Sequence, residues 1–264
     1  MERLLVLRLE ALGCTAEAVL NGVPVARVGG AQTVITLPVH EFTVLGNNTL
    51  ELVVHPAAPG AIVQPAPMLS DGQSGASLRL LLPRVDSVAS PASARTLAQL
   101  DWAPAVDIVF DAPASVCQSV DLPIAFPRWR WLDAPVIADS PTLQKDLAAY
   151  LLPIAVGLAK GDAEPLIQAS RLRLDELAQA YQRNLADDVA RLRQHILSLH
   201  AAQPLKPELP AASKIRLRSV AGGRLMECLT PAGNALLQSP VAGGGTVVWP
   251  LRIAAVEGRF YVLR

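Results

Sequence analysis

Four histidines, three cysteines and a few Ser-Gly turns are the residues on which nucleophilic or metal chemistry would have to rest in this chain. His40 and His55 lie on either side of Leu50–Val54, and no HxH or HExxH spacing joins them to further ligands. Both read as polar residues at strand edges. His195 and His200 are five apart, which places them about 140° apart around a helix, so they read as helix-end cations rather than a ligand pair. Cys14, Cys117 and Cys228 are too widely spaced for a CxxC zinc site or a dense disulfide framework; Cys117 reads as a small buried hydrophobe. There is no GxSxG motif, and Ser70-Asp71-Gly72 and Ser74-Gly75 have no histidine near them in sequence. Asp71–Gly75 lacks the lysine of a phosphate loop, and Gly243-Gly244-Gly245 precedes a strand rather than a helix. The acidic pairs Asp175-Glu176 and Asp187-Asp188 are adjacent on helices, so their side chains diverge and read as solvated faces. No catalytic residue, metal or cofactor is assigned on these grounds.

The segment Phe126-Pro-Arg-Trp-Arg-Trp131 is the most unusual in the chain. In an extended strand Trp129 and Trp131 share one face while Arg128 and Arg130 share the other. An exposed pair would stack on sugar rings or anchor a partner protein; a buried pair would plug the base of a sandwich or an interdomain seam. Burial is the preferred reading, and the four residues are the candidate partner-binding set.

The elements that must position these groups divide into two halves. In residues 1–133 short strand-like runs alternate with turn signals, among them Asn21-Gly22 and Gly46-Asn47-Asn48. Ser77–Val85, Ala105–Phe110 and Ser115–Ile124 read as further strands, and four prolines between Pro56 and Pro67 mark a loop. From Asp139 the period changes. Ser140 followed by Pro141 is a helix start, Pro153 should kink the helix that follows, and Gly161-Asp162 ends it. A second helix is expected over Pro165–Tyr181, and a third begins at Asn184 with the apolar stripe Leu185, Val189, Leu192, Ile196, Leu199. Beyond the prolines at 204, 207 and 210 the period returns to two, predicting a four- or five-stranded antiparallel meander. The fold class is therefore two-domain: an all-β, jelly-roll-like sandwich over 1–133, then an α+β domain over 139–264 with three helices on an antiparallel sheet.

The chain of 264 residues carries 23 basic and 23 acidic side chains, which argues against a nucleic-acid binder. No run of 18 apolar residues predicts a membrane span, and the start, with Arg3, Arg8 and Glu10, lacks a signal-peptide core. A cytoplasmic protein is expected.

The motifs Leu20-Asn-Gly-Val-Pro24 and Gly46-Asn-Asn-Thr-Leu-Glu-Leu-Val-Val54 make the N-terminal half resemble the galactose-binding-like jelly-roll domains that accompany glycoside hydrolases. The resemblance implies a sandwich and transfers no sugar-binding residue. Gly157-Leu-Ala-Lys-Gly-Asp-Ala-Glu-Pro165 and the closing Trp249–Tyr261 make the C-terminal half resemble the cone fold of nuclear transport factor 2 and ketosteroid isomerase. Isomerases of that fold hold a carboxylate base and an acid pair, which have no counterpart placed here.

Two functions follow. The first is a non-catalytic binding or scaffold protein with a protein or carbohydrate partner. The second is a small-molecule enzyme of isomerase, lyase or hydrolase type using a cavity of the C-terminal domain, with Tyr150, Tyr181 and one of Asp162, Asp175 or Glu227 as its polar groups. Thr246–Ala255 alternates Val247, Trp249, Leu251 and Ile253 against Val248, Pro250, Arg252 and Ala254, which predicts either a homodimer through that sheet or an interdomain interface over it.

Overall fold

The computed structural model describes residues 4–56, 75–83, 93–104, 112–122 and 126–264. The proline loop of 56–67, the motifs between Ser70 and Ser74 and the strand expected over Ala105–Phe110 lie outside the described residues, Pro56 apart. The chain forms two compact units that divide between Pro127 and Arg128.

Among the described residues the first unit holds eight strands: β1 (Val6–Leu12), β2 (Cys14–Leu20), β3 (Val23–Val28), β4 (Val34–Pro38), β5 (Gly46–Pro56), β6 (Gly75–Pro83), β7 (Ala94–Trp102) and β8 (Ala114–Leu122). They form two four-stranded antiparallel sheets, ordered β4-β1-β6-β7 and β3-β2-β5-β8. The period-two pattern explains the burial. Leu7, Leu9 and Ala11 of β1 are buried while Arg8 and Glu10 are not, and in β5 Asn48, Leu50, Leu52 and Val54 alternate with half-buried or exposed neighbours. Gly13 alone joins β1 to β2, so the chain changes sheet within one residue of positive φ. Asn21 (φ 53°) and Gly22 (φ 75°) close the β2–β3 hairpin as their types predict.

That turn is tied to the second motif of the half. Asn21 Nδ2 donates to Phe42 O and to Asn48 Oδ1, both at 2.8 Å, and Asn21 Oδ1 accepts from the Thr49 N–H at 2.9 Å. Asn48 is fully buried; its Oδ1 also accepts from Val44 N–H, and its Nδ2 donates to Val44 O and Gly46 O, all at 2.8 Å. The two motifs are thus one polar node that closes a sheet end.

His40 corrects its sequence reading. It lies buried in a 3-10 turn, its Nε2 accepting from the Leu5 N–H at 2.8 Å and its ring 5.0 Å from Phe126. β7 was not anticipated, although Ala98, Leu100 and Trp102 repeat at period two.

The second unit contains α1 (Pro141–Ala159), α2 (Glu164–Ala169), α3 (Arg171–Tyr181) and α4 (Leu185–Ala202), followed by β9 (Arg216–Val220), β10 (Leu225–Leu229), β11 (Leu237–Pro240), β12 (Thr246–Trp249), β13 (Arg252–Val256) and β14 (Arg259–Val262). Both expected caps are present: Ser140 Oγ accepts from Leu143 N–H, and Asn184 Oδ1 from Ala186 N–H. α1 runs on through Pro153. The single helix expected over 165–181 is two, interrupted at Ser170 (φ −100°, ψ 9°), so four helices replace three. The turn after α1 is steric in origin. A Cβ on Gly157 would meet Asp162 O and Pro165 Cγ at 2.9 Å, and one on Gly161 (φ 72°) would meet the His200 ring at 2.8 Å.

The main sheet is antiparallel, ordered β14-β13-β10-β9, and β11 pairs only with β12 as a separate hairpin. This corrects the reading of Thr246–Ala255 as one strand. Pro250 has no N–H to give a ladder, and the run breaks there into β12 and β13 of different sheets. The core gathers Leu147, Leu151, Leu158, Ile196, Met226 and Ile253, among others.

Candidate functional site

The Trp-Arg-Trp segment belongs to the second unit and is not extended. Arg130–Leu132 forms a 3-10 turn, which removes the alternation of faces expected for a strand. Trp129 is fully buried, with the Arg264 guanidinium 5.7 Å from its ring, and Trp131 is 2% exposed. Arg130 donates its backbone N–H to Glu176 Oε1 at 2.7 Å and its Nη2 to Asp175 at 2.8 Å. Arg128 is on the surface and engages both oxygens of Asp133, which pulls that carboxyl below its ordinary range.

The enzyme candidates are dispersed and engaged. The Tyr150 phenol is pushed up to about 12 by burial, and it shares its surroundings with Phe260 rather than a carboxylate. Tyr150 lines an open cleft of about 550 Å³ with Pro153, Ile154 and Phe260, and no acidic residue lines that cleft. Tyr181 is buried beneath the Arg183 guanidinium at 4.9 Å. Asp162 accepts from the Glu164 N–H at the start of α2, Asp175 holds Arg130, and Glu227 is shared by Arg218 (2.5 Å) and Arg252 (3.0 Å). Two acidic residues read as solvated are buried instead: Glu176, bound to Arg264 at 2.6 Å, and Asp188. Among the described residues no three His, Cys, Asp or Glu side chains converge as a metal site, and no helix is long and apolar enough to cross a membrane.

The three thiols differ in environment. Cys117 is exposed on β8, which corrects its reading as buried. Cys14 and Cys228 are buried; burial raises both thiols, that of Cys228 to about 12 with help from the Glu227 charge. A thiol is nucleophilic only as thiolate. At pH 8 a disulfide reagent is therefore expected to modify one cysteine in the folded chain and all three after denaturation; Cys117→Ser should abolish the native reaction. Rapid native modification of two or more thiols would contradict these environments.

A groove that the sequence reading did not single out lies wholly within the second unit and has a volume of about 450 Å³. Its apolar lining comes from Leu166 of α2, Leu174 and Leu177 of α3, Leu192 of α4 and Val247-Val248-Trp249 of the β11–β12 hairpin. Its polar lining is one-sided. Arg173, Arg183, Arg191 and His195 line it with Ser170 and a single carboxylate, Asp188. Asp188 is held by Arg183 at 2.9 Å and Arg191 at 3.1 Å, so both its oxygens are already occupied. The α4 stripe explains why the groove exists. Of its five apolar residues only Ile196 is fully buried; Val189, Leu192 and Leu199 are half-buried and Leu185 is exposed. The helix packs at its middle and leaves its first turns over a partly open apolar surface. The available signal was Arg191 and His195 flanking that stripe at helical spacing.

The chain matches no known protein-family model, no curated protein and no solved structure.

Proposed function

We propose that this chain is a non-catalytic binding protein and that the groove between α3, α4 and the β11–β12 hairpin is its binding site. The observation that carries this reading is the groove itself: a concave apolar surface with a few convergent charged groups, of a size usual for ligand sites (about 300–1,000 Å³). Support comes also from the tyrosines and carboxylates nominated for catalysis, each held in a separate packing or ion-pair role. The glycan version of the binding hypothesis loses its stacking platform, since Trp129 and Trp131 are interior. A β-sheet unit of jelly-roll type and a helix-and-sheet unit of cone type, as the sequence resemblances imply, would serve recognition as readily as catalysis.

The test is a titration with a neutral polarity-sensitive dye. One saturable site is expected, with energy transfer from tryptophan, weakened tenfold or more by Leu177→Asp, a half-buried position on the groove wall. In parallel, no turnover is expected across esters, glycosides and ketosteroids. Absence of saturable binding, or turnover of any of these substrates, would overturn the reading.

A further inference from the structure

From the charge and size of this groove we infer that its occupant is a small amphipathic carboxylate, an acid carried on an apolar body, and this rests on the groove being the binding site. Asp188 engages both Arg183 and Arg191, so within this trio one carboxylate meets two guanidinium groups and one positive charge is in excess, and Arg173 lines the same groove. An incoming carboxylate offsets that excess, and planar guanidinium donors suit carboxylate geometry. Behind the arginines the surface is leucine, valine and tryptophan, so the remainder of the molecule must be apolar. A hydroxyl-rich ligand would find Asp188 engaged by two arginines, no amide side chain and one hydroxyl, that of Ser170, in a lining that is otherwise apolar or cationic. The volume of about 450 Å³ lies in the lower half of the small-ligand range, which favours a free small molecule over a helix laid along the groove.

The experiment displaces the neutral dye with decanoate, decanol and decylamine at fixed ionic strength. Decanoate is expected to bind at least tenfold more tightly than decanol, about 1.4 kcal/mol, with decylamine weakest. Arg173→Gln combined with Arg191→Gln should erase the preference for acid over alcohol while the dye still binds; Arg183 remains to hold Asp188. If the dye binds but decanoate does no better than decanol, the carboxylate inference falls and the binding site stands. The same holds if an acidic amphipathic peptide displaces the dye and decanoate does not. If the dye itself fails to bind, the site falls with it.

Discussion

Replacing Glu176 by Gln is expected to lower the stability of the C-terminal unit by about 3–5 kcal/mol, the cost typical of leaving a buried charge without its partner. Glu176 and Arg264 are 2% and 1% exposed and meet at 2.6 Å, so water screens neither. Glu176 has a second duty: its Oε1 accepts from the Arg130 N–H, which anchors the Trp129–Trp131 segment to α3. Gln retains an acceptor for that N–H while removing the charge, so the variant isolates the electrostatic part. Arg264→Met should cost less than Glu176→Gln, because the carboxylate left behind still has the Arg130 guanidinium at 3.6 Å. The double variant should recover much of the loss, since a neutral pair leaves no orphan charge. All four helices among the described residues are in this unit, so urea unfolding followed by the helical circular dichroism signal reads it directly. A loss below about 1 kcal/mol for Glu176→Gln would refute the assignment of the pair as a buried ionic anchor.

What sequence reasoning captured, and what it missed, separates along a physical line. Ser140, Asn184 and the Asn21-Gly22 turn act on backbone groups within a few residues, and local chemistry is enough to read them. The change from strands to helices near residue 139 was likewise legible, because side-chain periodicity is a local property. The break at Ser170 and the division of Thr246–Ala255 into two sheets were not read, although Pro250 signalled the second. Ion pairs are the least legible class. Asp175-Glu176 and Asp187-Asp188 look alike in sequence, yet Glu176 and Asp188 are buried while Asp187 is exposed. Glu176 has its partner at position 264, which only the tertiary fold brings near, whereas Asp188 pairs with its sequence neighbours Arg183 and Arg191 and only its burial is set by the tertiary fold. The groove was missed because its walls come from three helices and strand β12, separated by some eighty positions of chain.

Asn48 offers the sharpest test of whether a sequence resemblance carried physical content. The Gly46-Asn47-Asn48-Thr49 motif contains two asparagines with opposite fates: Asn47 is exposed and Asn48 has no exposed surface. Asn48 Oδ1 takes two hydrogen bonds and its Nδ2 gives two, so one amide satisfies Asn21, Val44 and Gly46 together. Truncation to Ala orphans the Val44 N–H and frees the Asn21 side chain that positions Thr49. Each buried polar group left unmade costs about 1–3 kcal/mol, and these losses overlap, so a total near 3 kcal/mol is expected for Asn48→Ala. Asn48→Asp should rescue little: it keeps the acceptor but turns a carboxylate oxygen toward the Val44 and Gly46 carbonyls that Nδ2 now serves. Asn47→Ala, one residue away, should stay within about 0.5 kcal/mol of the parent, as surface substitutions do. Hydrogen exchange at the Val44 and Thr49 amides reads the N-terminal unit without interference from the other. Equal protection in the Asn48→Ala and Asn47→Ala variants would mean that the motif is turn grammar alone and that the polar node does not hold this sheet end together.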